Sequence, residues 1–327
     1  MPCCCCFCSL TRQVVASCFT PFHPNLVIGG TYSGQVVLWD IRSGRRTPAQ
    51  RTPLSAAGHT HPVYCVDVIG VANAHSLATA STDGRLCFWS LEMLSAPADS
   101  MDLQHHQSRP VAATCFSFVA GASSNFVVGS EDGIAYAGAR HGAKAVAAAS
   151  DVFEGHRGPI TAVDCHPIPG PAADHAYFLT SSIDWTVKLW SLRDPRPLLS
   201  FEDNSDYVCD VRWSPVHPAV FAAVDSTGRL DVWNLNADTE VPAASAVVDG
   251  ASVVNKCRWN ASGSVLAGGD ATGRVHICEV DASLVAPRSD EWSRLASTIA
   301  DVRSDRDEVE DAARAGLPVS LGQSALR

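Results

Sequence analysis

Two sets of histidine, serine and aspartate in this chain could act as catalytic triads. They are His59, Ser81 and Asp83, and His156, Ser182 and Asp184. In a triad, the aspartate orients the histidine, which takes the proton of the serine nucleophile. In both sets the serine and the aspartate stand at the same distance before a tryptophan, Trp89 or Trp190, that ends an apolar run. A repeated arrangement within predicted strands favours a structural chain of hydrogen bonds over a catalytic site.

No other group of residues meets the requirements of the chemistry that it suggests. The glycine-rich segment 138–144 lacks the glycine before its final lysine, and the hydroxyl residue after it, that a phosphate-binding loop needs. His59 and His61, like His105 and His106, lack a third ligand at metal-site spacing. No GxSxG or HExxH motif occurs. We therefore expect no enzymatic activity, no metal and no cofactor.

The composition indicates a folded chain that binds neither nucleic acid nor membrane. Hydrophobic residues make up 46% of the 327 residues and charged residues 18%, values typical of a globular protein. The chain has 24 basic and 34 acidic side chains, a net charge of −10, and so lacks the cationic surface that phosphate backbones require. No apolar run approaches the roughly 20 residues of a membrane-spanning helix.

The 13 cysteines fall into two groups. Five crowd the N-terminus, namely Cys3, Cys4, Cys5, Cys6 and Cys8. The others are scattered singly, mostly in apolar runs and without zinc spacing, which is typical of small buried hydrophobes in a reducing compartment. The N-terminal run lacks the pattern of a signal peptide. Palmitoylation or metal binding is one interpretation of this run, and a variant start of the chain is the one that we favour.

One hairpin signature recurs six times and organises the chain. Each copy is a short polar turn, usually with glycine, followed by an apolar strand that ends on tryptophan or a substitute. The last residues of the copies are Trp39, Trp89, Gly138, Trp190, Trp233 and Cys278, which are 43 to 52 residues apart. Continuous apolar runs indicate strands covered on both faces, as between neighbouring blades. An all-β array with this period is a propeller.

The repeats resemble WD repeats, in which histidine, serine, aspartate and tryptophan form a buried chain of hydrogen bonds. The resemblance implies two such tetrads. They are His59, Ser81, Asp83 and Trp89, and His156, Ser182, Asp184 and Trp190. Both tetrads would be structural.

Several segments resemble the intermediate chains of cytoplasmic dynein over longer runs than a WD repeat requires. They are 22–35, 51–57, 59–66, 182–190, 201–208, 213–219 and 234–242. Propeller geometry does not impose loop segments such as 201–208, which vary unless something contacts them. The resemblance runs from about Val14 to about Arg303 and is specific.

This resemblance implies a non-catalytic scaffold subunit of the cytoplasmic dynein motor, located in the cytoplasm on microtubules. The family has a largely disordered N-terminal arm, which binds light chains and dynactin, followed by a seven-bladed propeller, which binds the tail of the heavy chain. Here the chain joins the pattern at the second blade. We therefore expect it to bind the heavy chain, and light chains and dynactin only through the arm missing here. The candidate partner-contact residues are Glu202, Asp203, Asn204, Asp206, Tyr207, Asn236 and Asp238.

The pattern divides the chain into three parts. Residues 1–13 are a Cys-rich leader that resembles nothing in the family. Residues 14–286 form a propeller with six recognisable blades of seven, and residues 287–327 form a short C-terminal helix and an acidic tail. With one blade fewer, the blades that bear Trp39 and Cys278 would face each other across a gap, with apolar surface uncovered. The alternative is that six blades close into a ring of their own.

A helical pattern follows the last repeat. The residues with the spacing of one helix face are Trp292, Leu295, Ile299 and Val302. Ser289 is the predicted N-cap, with Asp290 and Glu291 in the first turn, and the acidic run 305–311 leads into a tail predicted to fray. The helix either docks on the rim of the propeller, which we favour, or binds a partner.

Other classes of function stay open. An axonemal dynein intermediate chain would have the same fold, although runs 201–208 and 234–242 favour the cytoplasmic type. A substrate receptor of a ubiquitin ligase would bind a cullin-type scaffold in place of a heavy chain. Co-purification distinguishes these classes.

Overall fold

Six antiparallel sheets of three or four strands follow one another along the described part of the chain, each formed by consecutive strands. The computed structural model describes residues 13–55, 57–71, 73–105, 109–121, 124–140, 152–168 and 176–314, and the side chains of all of these except 305 and 307–314. The sheets are called blades one to six in chain order. The predicted all-β propeller with six blades is therefore confirmed.

The strands of the first three blades lie between residues 14 and 154. Blade one contains β1 (Val14–Phe19), β2 (Leu26–Thr31), β3 (Val36–Asp40) and β4 (Gln50–Arg51), with a 3-10 turn at Ile41–Ser43. Blade two contains β5 (Cys65–Val71), β6 (Ala74–Ala80), β7 (Arg85–Trp89) and β8 (Asp99–Asp102). A two-stranded ribbon of β9 (Gln104–His105) and β10 (Arg109–Pro110) follows. Blade three contains β11 (Ala113–Phe118), β12 (Asn125–Ser130), β13 (Ile134–Ala139) and β14 (Val152–Glu154).

The last three blades differ in their number of strands. Blade four contains β15 (Ile160–Cys165), β16 (Tyr177–Ser182), β17 (Val187–Ser191) and β18 (Asp194–Phe201). Blade five contains β19 (Val208–Trp213), β20 (Val220–Asp225), β21 (Arg229–Asn234) and β22 (Ala244–Val247). Blade six has three strands, β23 (Val254–Trp259), β24 (Val265–Asp270) and β25 (Val275–Glu279).

The second strand of each blade lies in the core, which explains its continuous apolar sequence. Every residue of β16 and β20 is buried. On these strands Phe178 stacks on Trp190 with ring centroids 6.1 Å apart, and Phe221 stacks on Trp233 at 6.0 Å. Each pair joins directly opposite residues of neighbouring strands, where aromatic side chains stabilise a sheet. The tryptophan that ends the repeat thus anchors its own blade.

Successive blades contact one another through their first strands. From blade one to blade six, β1, β5, β11, β15, β19 and β23 each contact the next in this order. Hydrogen bonds add to the contact: the hydroxyl of Thr114 donates to the carbonyl of Ile160 at 2.6 Å, and that of Thr161 to the carbonyl of Val208 at 2.6 Å. The regular neighbour contact holds the blades in a fixed order around an axis.

Blade six lies at an open side of this arrangement. In blade four, Val187 and Leu189 of β17 are 1% and 0% exposed, whereas Val275 and Ile277, at the same positions of β25, are 66% and 64% exposed. Among the described strands, no contact comparable to that between the other neighbours joins blade six to blade one. The described part of the chain thus has the gap expected between the blades of Trp39 and Cys278, and six blades do not close into a ring.

Two helices follow blade six. They are α1 (Ala282–Val285) and α2 (Glu291–Arg314). Asp290 directly precedes α2, so the predicted N-cap at Ser289 is wrong by one residue; the ends of helices are the least certain part of a pattern. The helix includes the acidic run 305–311 and ends at Arg314, and most of the tail predicted to fray lies outside the described residues.

The apolar face of α2 packs on blades four and five. Leu295 and Ile299 are buried in one cluster with side chains of both blades, and Trp292 packs against it. Further along the helix, the guanidinium of Arg306 pairs with Asp194 of β18 at 2.8 Å. The docked helix is therefore the correct interpretation of this pattern, and its apolar face is not available to a partner.

Candidate functional site

One hydrogen-bond network ties the strands of blade four to the loop before it. The Nδ1 atom of His156 lies 3.0 Å from a carboxylate oxygen of Asp184, and its Nε2 atom lies 2.6 Å from the hydroxyl of Thr180. The indole N–H of Trp190 donates to the same hydroxyl at 2.8 Å. Each polar atom of this buried network has a partner, as burial requires. The network fastens the loop, β16 and β17 together.

Blade two contains the same network. The Nε2 atom of His59 lies 2.7 Å from the hydroxyl of Thr79, and the indole N–H of Trp89 donates to that hydroxyl at 2.8 Å. Asp83 is 3.5 Å from Nδ1 of His59 and accepts a hydrogen bond from the backbone N–H of Thr60 at 2.9 Å. The two copies share the contacts of histidine, threonine and tryptophan, but the contact of histidine with aspartate is longer in blade two and leaves Nδ1 of His59 without a hydrogen bond.

The hydroxyl of each tetrad is not the one predicted. Thr79 and Thr180 occupy the places assigned to Ser81 and Ser182, which lie two residues later on the same face of the strand. The Ser182 hydroxyl donates instead to the carbonyl of Gly158 at 2.9 Å and accepts from the backbone N–H of Asp184 at 3.2 Å. A signal was present in the sequence, because both threonines precede their serine by two residues.

The charges of the tetrads suit a structural role. Burial alone would raise the pKa of Asp184, but the hydrogen bonds from His156 and from the Arg157 backbone lower it, and the pKa lies well below its usual range. Asp83, with the same kind of partners, has its pKa lowered to about 2. Burial lowers the pKa of His156. The His156 side chain is 0% exposed, so it cannot exchange protons with a substrate and serves to hold the blade.

The other candidate chemistry involves groups that lie apart or outside the described residues. Within the described ranges, no three His, Cys, Asp or Glu side chains come together as a metal site needs. His106, the cysteines at 3–8 and most of segment 138–144 lie outside those ranges. In the same described part of the chain, neither helix has the length and apolar content to cross a membrane.

Half of the described cysteines are buried, and the other half are partly buried. The cysteines described are Cys18, Cys65, Cys87, Cys115, Cys165, Cys209, Cys257 and Cys278, and each carries a free thiol. Burial raises the pKa of Cys87 and of Cys165 to about 12. A thiol with so high a pKa is protonated at neutral pH and is a weak nucleophile. These cysteines therefore contribute packing.

The two candidate partner loops lie at opposite ends of blade five. Segment 202–207 leads from β18 to β19, whereas segment 234–238 follows β21 and precedes β22. In a sheet whose strands alternate in direction, the loop entering the first strand and the loop after the third are at different ends. One flat partner surface cannot include both segments.

Segment 202–207 presents mainly acidic and aromatic side chains. Glu202, Asp203 and Tyr207 are exposed, whereas Asn204 is buried and is not available to a partner. Asp203 accepts a hydrogen bond from the guanidinium of Arg229 at 2.6 Å. The Asp206 carboxylate accepts one from the backbone N–H of Tyr207 at 2.8 Å.

At the other end of blade five, Asn236 contacts the C-terminal helix. Its side-chain amide donates to the backbone carbonyl of Glu291 at 3.0 Å, and the backbone carbonyl of Asn236 accepts from the guanidinium of Arg294 at 2.9 Å. Asp238 is exposed and caps its own loop by accepting from the backbone N–H of Glu240 at 2.7 Å. Asn236 is therefore a docking residue for α2 in this structure, a role that the sequence did not indicate.

The six blades and their His–Thr–Trp–Asp networks define a WD-repeat β-propeller. In agreement, the repeat family described as "WD domain, G-beta repeat" matches residues 51–90 and 149–191. The chain is homologous to the cytoplasmic dynein intermediate chain: it is 53% identical over 298 residues to the "Cytoplasmic dynein 1 intermediate chain" of Drosophila melanogaster. The match covers 90% of this chain and 44% of that relative, so the chain spans less than half of the relative's length.

Proposed function

We propose that this chain is a non-catalytic scaffold subunit of a cytoplasmic dynein complex and that its propeller binds the dynein heavy chain. The observation that carries this proposal is the 53% identity to a cytoplasmic dynein intermediate chain over 90% of the chain. The match extends over 298 residues and therefore includes strands and loops together. The scaffold would act in the cytoplasm on microtubules.

The arrangement of the polar groups supports a scaffold. The histidine–aspartate pairs of blades two and four are buried within their blades and stabilise them. Exposed loops at the ends of a rigid sheet array are suited to binding other proteins, because the scaffold fixes their positions. Light chains and dynactin are expected to bind only through the arm that the family resemblance places before the propeller.

Affinity capture from cells tests the proposal. The full chain with a C-terminal tag is expressed, and captured proteins are identified by mass spectrometry. We expect heavy chain of the cytoplasmic type, without light chains. Val220→Asp is the matched control, because Val220 is fully buried in β20 and a carboxylate there should unfold blade five and abolish capture.

Three results would contradict the proposal in different ways. Axonemal heavy chain alone would assign the chain to the axonemal type, and a cullin-type scaffold in place of heavy chain would assign it to ubiquitin-ligase receptors. Light chains recovered without heavy chain would show that the propeller is not the heavy-chain platform.

A further inference from the structure

One turn of the propeller has a tryptophan where the other blades have glycine. The turn between the second and third strands contains a residue with positive φ in every blade. In five blades it is a glycine, namely Gly34, Gly84, Gly133, Gly228 and Gly273, with φ between 79° and 85°. In blade four it is Trp185, with φ of 72°. The left-handed conformation is unfavourable for a residue with a Cβ atom, so blade four keeps a strained residue at a position that glycine would relax.

The repeat geometry places this residue beside the loop that enters blade five. A Cβ atom added to Gly34 or Gly133 would lie 2.6 Å or 2.8 Å from a backbone carbonyl of the loop that enters the next blade, and one added to Gly228 would lie 2.8 Å from such a carbonyl. The corresponding loop for Trp185 is segment 202–207. Segment 202–207 must therefore accommodate the side chain of Trp185, whereas the corresponding loops of the other blades lie next to a glycine.

The side chain of Trp185 is about half exposed. Its exposed fraction is 48%, and those of Ile183 and Tyr207 are 37% and 49%. A strained backbone that keeps half of a large aromatic side chain in solvent is not explained by core packing, and such strain is found at functional sites. Tryptophan and tyrosine are also the residues that most often dominate the energy of protein interfaces.

The loop that enters blade five also carries acidic side chains. We call Ile183, Trp185 and Tyr207, together with Glu202, Asp203 and Asp206, the blade 4–5 patch. Asp203 is paired with Arg229, which also pairs with Asp231 at 2.8 Å, and the exposed Arg157 lies in the neighbouring loop. Glu202 and Asp206 add further carboxylates to the exposed surface. The charge of the patch is therefore mainly negative, as is that of the whole chain.

We propose that the blade 4–5 patch is the docking surface for a segment of the heavy chain that carries basic and apolar side chains, with Trp185 as the central anchor. This inference rests on the proposed function, since it assigns the surface used for the heavy chain. An apolar residue of the segment covers Trp185 and Ile183, and a lysine or arginine lies over an aromatic ring and near the carboxylates, where cation–π and charge attraction act together.

Trp185→Gly separates binding from stability. Glycine is the residue of the other blades at this position, so the full-length variant should have a melting temperature equal to or above that of the parent. Loss of an aromatic anchor should reduce capture of heavy chain by about tenfold or more. Val241→Ala is the matched control, because Val241 is also an exposed apolar residue but lies after β21, at the opposite end of blade five.

Charge and aromatic variants extend the test. Glu202→Gln with Asp206→Asn should weaken capture and make the remaining capture less sensitive to salt, because fewer opposite charges then attract the partner. Tyr207→Ser should also weaken capture. If Trp185→Gly captures heavy chain as well as the parent, the proposal is overturned. If Trp185→Gly lowers the melting temperature, its capture result no longer separates binding from stability. The proposal is then tested by the double variant Glu202→Gln with Asp206→Asn and by Tyr207→Ser, and normal capture of heavy chain by both overturns it.

The failure of the proposed function has a different signature. In that case the parent chain itself captures no heavy chain. A parent that captures heavy chain, with Trp185→Gly equal to it, refutes the docking surface alone.

Discussion

Replacing Thr180 by valine tests the assignment of the tetrad hydroxyl. Thr180 is fully buried in β16, and its hydroxyl lies 2.6 Å from Nε2 of His156 and 2.8 Å from Nε1 of Trp190. Valine has nearly the same shape as threonine but can neither donate nor accept a hydrogen bond. The substitution therefore removes two hydrogen bonds with little change in packing.

The expected loss of stability follows from the groups left without partners. The indole N–H of Trp190 and the imidazole nitrogen of His156 stay buried, and each buried group without a partner costs about 1–3 kcal/mol. Together they should lower the free energy of unfolding by about 2–6 kcal/mol. Ser182→Ala loses the hydrogen bond to the carbonyl of Gly158 at 2.9 Å and the weaker one from the backbone N–H of Asp184 at 3.2 Å, both in a partly buried place, which should cost about 1–2 kcal/mol.

Urea unfolding followed by tryptophan fluorescence measures both variants. The midpoint should fall more for Thr180→Val than for Ser182→Ala, with unchanged dependence on urea concentration, because the fold is the same. Thr79→Val should reproduce the effect in blade two, where the hydroxyl has the same partners. If Ser182→Ala is the more costly change, the hydroxyl assignment is refuted.

Three further predictions concern pH, the helix and the open side. Because the pKa of His156 and of His217 in the folded chain lies below the ordinary 6.5, the unfolded state takes up protons first, and the free energy of unfolding should decrease as pH falls below about 6.5. It should decrease further below about pH 4, because the carboxyls of Asp83 and Asp184 take up protons in the unfolded chain there, whereas their lowered pKa keeps them ionised in the folded chain. Asp184→Asn should reduce this second decrease, and a urea midpoint that is constant from about pH 7 to pH 3 contradicts both. Leu295→Ala and Ile299→Ala should each lower the free energy of unfolding by about 2–5 kcal/mol, since both side chains are buried between α2 and the blades. A calorimetric melting temperature equal to that of the parent would show that the helix is not docked. Val275→Thr with Ile277→Thr should change the free energy of unfolding by less than about 0.5 kcal/mol per site and should reduce light scattering from aggregates. The matched change in blade four, Val187→Thr, should cost about 1–3 kcal/mol. Equal costs in the two blades would mean that the side chains of β25 are covered.

The sequence alone determined the architecture, because its signals are local. Each repeat contains its own turn and apolar strands, so six blades can be counted from residues such as Trp39 and Trp233 without knowing how they pack. The face of α2 formed by Leu295 and Ile299 likewise follows from helical spacing. The resemblance of the loops to dynein intermediate chains also needed no structure, and the identity of 53% agrees with it.

The tertiary structure decided which polar groups meet. Thr180 and Ser182 lie on one face of β16, and only the packing of His156 from the preceding loop against the strand selects the threonine. Asn236 could be assigned to a partner until α2, 55 residues later in the chain, was found to contact it. In the same way, Val187 and Val275 occupy equivalent positions in similar sequences, yet one is buried and the other exposed, because burial depends on the neighbouring blade and a residue's own strand does not specify that neighbour.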